Sequence, residues 1–128
     1  MLYHLDNLTS LSECTQLRAV SISYPYPEST APLLQTIRSP HLKKFMVYFR
    51  LWYHGGLVGG ESAEAWGETD NELYTAYDLW AKHAAGPIEV TFCVAGADRS
   101  DYSLEGYRRD LKTFFPRLTA NTPVNIVC

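Results

Sequence analysis

The chain has 128 residues, 46% hydrophobic and 20% charged, with a formal net charge of −3. This length and composition fit one globular domain with its own core and exclude a disordered chain. The mild acidity excludes a general nucleic-acid binder, which needs a basic footprint; the only adjacent cations are Lys43-Lys44 and Arg108-Arg109, and both pairs read as solvated surface.

Three cysteines, Cys14, Cys93 and Cys128, are spaced too widely for a disulfide framework or a Cys-x-x-Cys metal site. They read as reduced thiols of a cytoplasmic or nuclear protein, with Cys14 and Cys93 as small buried hydrophobes. No basic segment followed by an apolar one opens the chain, and no apolar run approaches the roughly 18 residues of a membrane span. Neither a membrane partner nor a signal peptide is expected.

Leucines at 2, 5, 8 and 11 open the chain at a helical or 3₁₀-like spacing. Leu17 to Ser23 alternates as a strand, with Leu17, Val20 and Ile22 inward and Ala19, Ser21 and Ser23 outward. Tyr24-Pro25-Tyr26-Pro27 ends it, because each proline removes a backbone donor. A short helix follows, capped by Ser29 or Thr30, with Leu33, Leu34 and Ile37 as its buried stripe; Ser39-Pro40 stops it. Leu42 to Trp52 is the second strand, with Leu42, Phe45, Val47 and Phe49 on one side and Lys44, Met46, Tyr48, Arg50 and Trp52 on the other.

A long, mobile Gly-rich loop is expected at about 53–65. The longest helix is expected over Trp66 to Ala85, with Thr69 or Asp70 as its cap and Leu73, Tyr77, Trp80 and Ala84 on one face. Gly86-Pro87 stops it. Ile88 to Ala95 is the third strand. A helix from about Leu104 uses Tyr107, Leu111, Phe114 and Phe115 before Pro116, and Val124 to Cys128 is a short last strand. Alternation of strand and helix implies parallel strands with right-handed crossovers. The strands open at 17, 42, 88 and 124; only the first step, 25 residues from 17 to 42, lies inside the leucine-rich-repeat range of about 20–29.

A succession of motifs then carries a family resemblance. Leu11 to Ile22 reads Leu-x-x-Cys-x-x-Leu-x-x-Val-x-Ile, like a cysteine-bearing leucine-rich repeat. Leu33-Leu34, Ile37, Ser39-Pro40 and Leu42 follow, then Trp66 ahead of Asp70 and Leu73, and finally Phe115-Pro116-Arg117-Leu118. This order is similar to the C-terminal part of the irregular leucine-rich-repeat proteins that fungi carry behind F-box-like domains. The resemblance implies one domain over 1–128: a short, irregular α/β solenoid of about four parallel strands with helices on the outer side. A compact open α/β sheet is the alternative. It further implies a protein-interaction module, the substrate-recognition end of an F-box-type ubiquitin ligase system. These residues contain no F-box-like segment, so the ligase connection is not carried by them directly.

Catalytic chemistry finds little support. His54-Gly55-Gly56 and Gly60-Glu61-Ser62-Ala63-Glu64 superficially resemble esterase motifs. But the fifth position of the serine motif is Glu64, no apolar strand precedes Ser62, and the serine follows Gly56 by only six residues, which leaves no room for a strand and helix. A small serine hydrolase using Ser62 with His54 or His83 is therefore the minor alternative, and the expectation is no enzyme and no cofactor. His54, Glu61, Glu64 and His83 lack metal-ligand spacing, as do the isolated His4 and His41, so no metal is expected. The cluster Asp98, Asp101, Glu105, Arg99 and Arg108 reads as a polar turn and helix start.

In a leucine-rich repeat the outward strand residues form the concave binding surface. Here those are Ser21, Ser23, Met46, Tyr48, Arg50, Thr91 and Cys93. Tyr, Met and Arg are enriched at protein interfaces, so this face is the expected contact surface for an unknown protein partner. The ends of such a sheet leave strand edges that need caps or stacking partners.

Overall fold

The computed structural model describes residues 10–50, 63–94 and 104–127. Strands β1 (Ala19–Tyr24), β2 (Lys44–Phe49), β3 (Glu89–Val94) and β4 (Val124–Val127) form one sheet in which strand order follows chain order and every neighbouring pair is parallel. Period-two alternation sets the two faces. Phe45, Val47, Phe49, Val90, Phe92 and Val94 all point into the core and are at most 2% exposed. The residues between them point away from it.

Helices α1 (Thr30–Leu34), α2 (Ala63–His83), α3 (Leu104–Phe114) and α4 (Pro116–Asn121) bridge successive strands. Because the strand order never reverses, crossovers of one hand bring every helix to the same side of the sheet. The core agrees: Leu34, Leu73, Trp80, Tyr107, Leu111 and Leu118, drawn from all four helices, pack in one cluster with the inward strand residues. α2 lies centrally and touches α1, α3 and α4. The architecture is α/β in two layers, a four-stranded parallel sheet under one layer of helices.

The strands are shorter than the alternation suggested, and the reason is the same at the first two. Leu42 is 1% exposed, and Leu17 packs half-buried against the core, but both plug it from the turn before the ladder begins. Pairing starts where the Lys43 N–H donates to the Arg18 carbonyl at 2.8 Å and the Glu89 N–H to the Lys43 carbonyl at 2.8 Å. Buried Ser39 fixes the first turn. Its hydroxyl proton is shared between the carbonyls of Leu17 (2.7 Å) and Thr15 (2.9 Å), and its oxygen accepts the His41 N–H at 3.2 Å.

Three expectations need correction. α2 begins at Ala63, so the last residues of the expected 53–65 loop belong to the helix; residues 53–62 lie outside the described ones. Its 21 residues make a rod of about 30 Å, longer than the roughly 20 Å of a six-residue strand, and this accounts for the long step from β2 to β3. Second, Thr69 and Asp70 do not cap α2. They sit inside it, 7% and 3% exposed. The Asp70 carboxylate instead caps α4, accepting the backbone N–H groups of Arg117 and Leu118, each at 2.9 Å. Third, Pro116 ends α3 but also opens α4, where its missing N–H costs nothing at the first helical position. Phe115, at the N-cap position of α4, offers no capping side chain, and Asp70 supplies that function from a distant element.

Candidate interaction face

The sheet face opposite the helices bears the residues singled out from the sequence. Register aligns them in three rows: Ala19–Lys44–Glu89, then Ser21–Met46–Thr91–Asn125, then Ser23–Tyr48–Cys93–Val127. Neighbouring strands lie about 4.8 Å apart, so side chains within a row are in lateral reach of one another. Ser21 and Ser23 are exposed, Met46, Thr91 and Cys93 are half-buried, and Tyr48 is 36% exposed. Arg50 directly follows β2 and is exposed. Of the expected face, Ser21, Ser23, Met46, Tyr48, Thr91 and Cys93 thus share one surface, with Arg50 at its margin.

β4 adds two residues that the sequence reading did not include. Asn125 donates to the Glu89 carboxylate at 3.3 Å, and Val127 is 43% exposed. Their signal was the alternation around inward Ile126, only four residues long. The Tyr48 hydroxyl donates to the Met46 sulfur at 3.8 Å, which lays the ring along β2. A half-exposed tyrosine beside a thioether, bordered by hydroxyls and one lysine–glutamate pair of positions, makes an amphipathic surface suited to contact with another protein.

Among the described residues the histidines stand apart from this face, His41 in the turn before β2 and His83 in the last turn of α2, both exposed. No group of three His, Cys, Asp or Glu side chains among the described residues could hold a metal ion. The esterase-like His54 and Ser62 lie outside the described residues, as do Glu61, Asp98, Arg99, Asp101, His4 and Cys128. Cys14 is half-buried where full burial was expected, because it lies in the turn before β1, beside a groove and not under a helix.

A second polar cluster lies past the carboxyl ends of β1 and β2. The Tyr26 hydroxyl donates to the Glu72 carboxylate at 2.7 Å, while the Thr69 hydroxyl reaches the Tyr24 oxygen at 3.4 Å. Burial, then the bond to Glu72, pushes the Tyr26 phenol far above the ordinary tyrosine value of 10.0. In the unfolded chain the phenol ionises near that ordinary value, so above it unfolding releases a proton. Stability contributed by this group is complete below pH 10.0 and declines as the pH rises beyond it. Denaturant titrations at rising alkaline pH are expected to show that decline in the native sequence, and a shallower one in Tyr26→Phe.

No helix among the described residues is long and apolar enough to cross a membrane. Compared with protein-family models, curated proteins and solved structures, the chain matches none. Among the described residues the fold is that of an α/β protein whose parallel sheet carries its helices on one face.

Proposed function

We propose that this chain is a protein-interaction module that binds its partner through the open sheet face, in the manner of a short leucine-rich-repeat-like solenoid. The observation that carries this reading is the one-sided sheet. A parallel sheet is ordinarily covered on both faces and reads as continuous apolar strands. Here the strands alternate, and the face that no described helix covers presents Tyr48, Met46 and hydroxyl side chains in register. Strand order that follows chain order, with helices on one side, also fits the solenoid reading, in which each unit touches its neighbours and offers its strands to a ligand. On the motif resemblance, the partner is a substrate protein destined for an F-box-type ubiquitin ligase. An F-box-like segment encoded ahead of residue 1 would support that assignment; a different upstream domain would overturn it.

The binding test uses a photo-crosslinking residue at Thr91, with a control at exposed Lys82 on the helical layer. Crosslinks to another protein are expected at the first position and not the second. Tyr48→Ala with Arg50→Ala is expected to weaken that capture at least about tenfold, as loss of interface anchors does. The melting temperature should stay within about 2 °C, since both residues are exposed. Undiminished capture in the double variant would sink the proposal.

A further inference from the structure

We infer that a second copy of this chain adds to the sheet edge to edge, with β4 of one molecule beside β1 of the next. Such an interface uses the edges and leaves the open face free for a different protein. Among the described residues β1 and β4 each have a ladder neighbour on one side only. Each edge strand therefore presents a row of backbone groups that can pair with another strand.

The inward rows show what is missing at the edges. In the row Val20–Phe45–Val90–Val124 the two central residues are fully buried, and the two ends are only half-buried. Beside β1 the deficit is a groove of about 520 Å³, walled by Leu17, Val20, Ile22, Leu33 and Leu34. Beside β4 lies a second depression of about 460 Å³, bordered by Val124, Ile126 and Val127, by Arg108 and Lys112 of α3, and by Glu89 of β3. Placing Val124 next to Val20, and Ile126 next to Ile22, joins two apolar rows and keeps both copies' helices on one side. The operation is the same step that already relates each strand to the next.

Charge favours this order of edges. Exposed Glu13 and Glu28 flank the β1 groove, next to its lining residues Cys14, Pro27 and Ser29, with Arg18 as the nearby cation. The β4 side carries Arg108 and Lys112, with Glu105 paired to Arg108 and Glu89 bonded to Asn125, so Lys112 is the cation there that no acidic side chain of the β4 depression pairs with among the described residues. The contact is heterologous, so it does not close at a dimer; copies continue in a row.

Sedimentation equilibrium of the full chain from about 5 to 500 μM tests this, a range suited to weak self-association. The average mass is expected to rise with concentration and pass that of a dimer. Val20→Asp blocks the β1 edge and Val124→Asp the β4 edge. Each variant alone should be a monomer, whereas an equimolar mixture should form a one-to-one dimer and nothing larger. A wild-type chain that stays monomeric would overturn the inference. So would a dimer that persists in either single variant, which marks a two-fold contact elsewhere. Lys112→Glu replaces an exposed side chain and folds regardless of what the core variants do. It should weaken association about threefold or more, with recovery when it is combined with Glu28→Lys. Association unchanged by Lys112→Glu would reject this pairing of edges.

Discussion

Replacing Asp70 by alanine is expected to lower the unfolding free energy by about 2–4 kcal/mol, read as a reduced denaturant midpoint at unchanged slope. Asp70 is 3% exposed, and both its carboxylate oxygens are occupied by the first free N–H groups of α4. Those donors lie at the positive end of a helix whose N-cap residue, Phe115, has nothing to offer them. Alanine would leave the buried Leu118 N–H without a partner and remove a charge-assisted bond from Arg117. An asparagine side chain keeps one acceptor oxygen, so Asp70→Asn should cost about half as much. The loss would loosen α4 from α2 and, through Leu118 and Phe115, the end of the core that holds β4. An alanine variant within about 0.5 kcal/mol of the native chain would show that the carboxylate is not the anchor described.

Trp66→Ala should destabilise the protein by about 3–5 kcal/mol, as truncation of a buried tryptophan does. Trp66 is 2% exposed and lies between two stacked rings, Phe114 at 4.7 Å with 3° between planes and Tyr24 at 5.1 Å with 23°. Phe115 meets its edge at 5.4 Å. It thus joins α2 to the end of β1 and to the α3–α4 joint in one contact. A sharper comparison comes from phenylalanine. The Trp66 indole N–H is buried with no hydrogen-bond partner among the described residues, so Trp66→Phe gives up no bond. The Trp80 indole N–H donates to the Leu34 carbonyl at 2.8 Å, and Trp80→Phe leaves that oxygen with only the longer bond from the Ile37 N–H at 3.3 Å. Trp80→Phe should therefore cost about 1 kcal/mol more than Trp66→Phe, although both indoles are buried. The reverse order would mean that packing differences, and not the hydrogen bond, set the cost.

The sheet was legible because its information is local. Val20-Ser21-Ile22 and Phe45-Met46-Val47-Tyr48-Phe49 carry their own alternation, and the outward members of that pattern are the residues found on the open face. The helix boundaries were less so. The first turn of α2 follows a Gly-rich run, and its buried stripe contains Thr69 and Asp70, polar residues that blur the helical period. Asp70 resembles a helix start, and it is one, for a helix that begins 46 residues later. No window of sequence contains both partners of that bond. The same holds for Tyr26 with Glu72 and Trp80 with Leu34. Asn125 and Val127 escaped notice because a four-residue strand offers too few alternations to fix a face.

The strand order has a consequence for how the chain is made. Each strand pairs with the one synthesised just before it, so no hydrogen-bonded edge must wait for a segment from the far end of the sequence. As the chain emerges, β2 finds β1 already present, β3 finds β2, and β4 completes the row. Loop closure is thereby divided into three modest intervals instead of one long one. A sheet of the same four strands in shuffled order would leave an apolar edge exposed through most of translation. In this order the growing molecule always has one edge ready for the next strand, and the longest exposure falls on β1, which no later segment among the described strands covers.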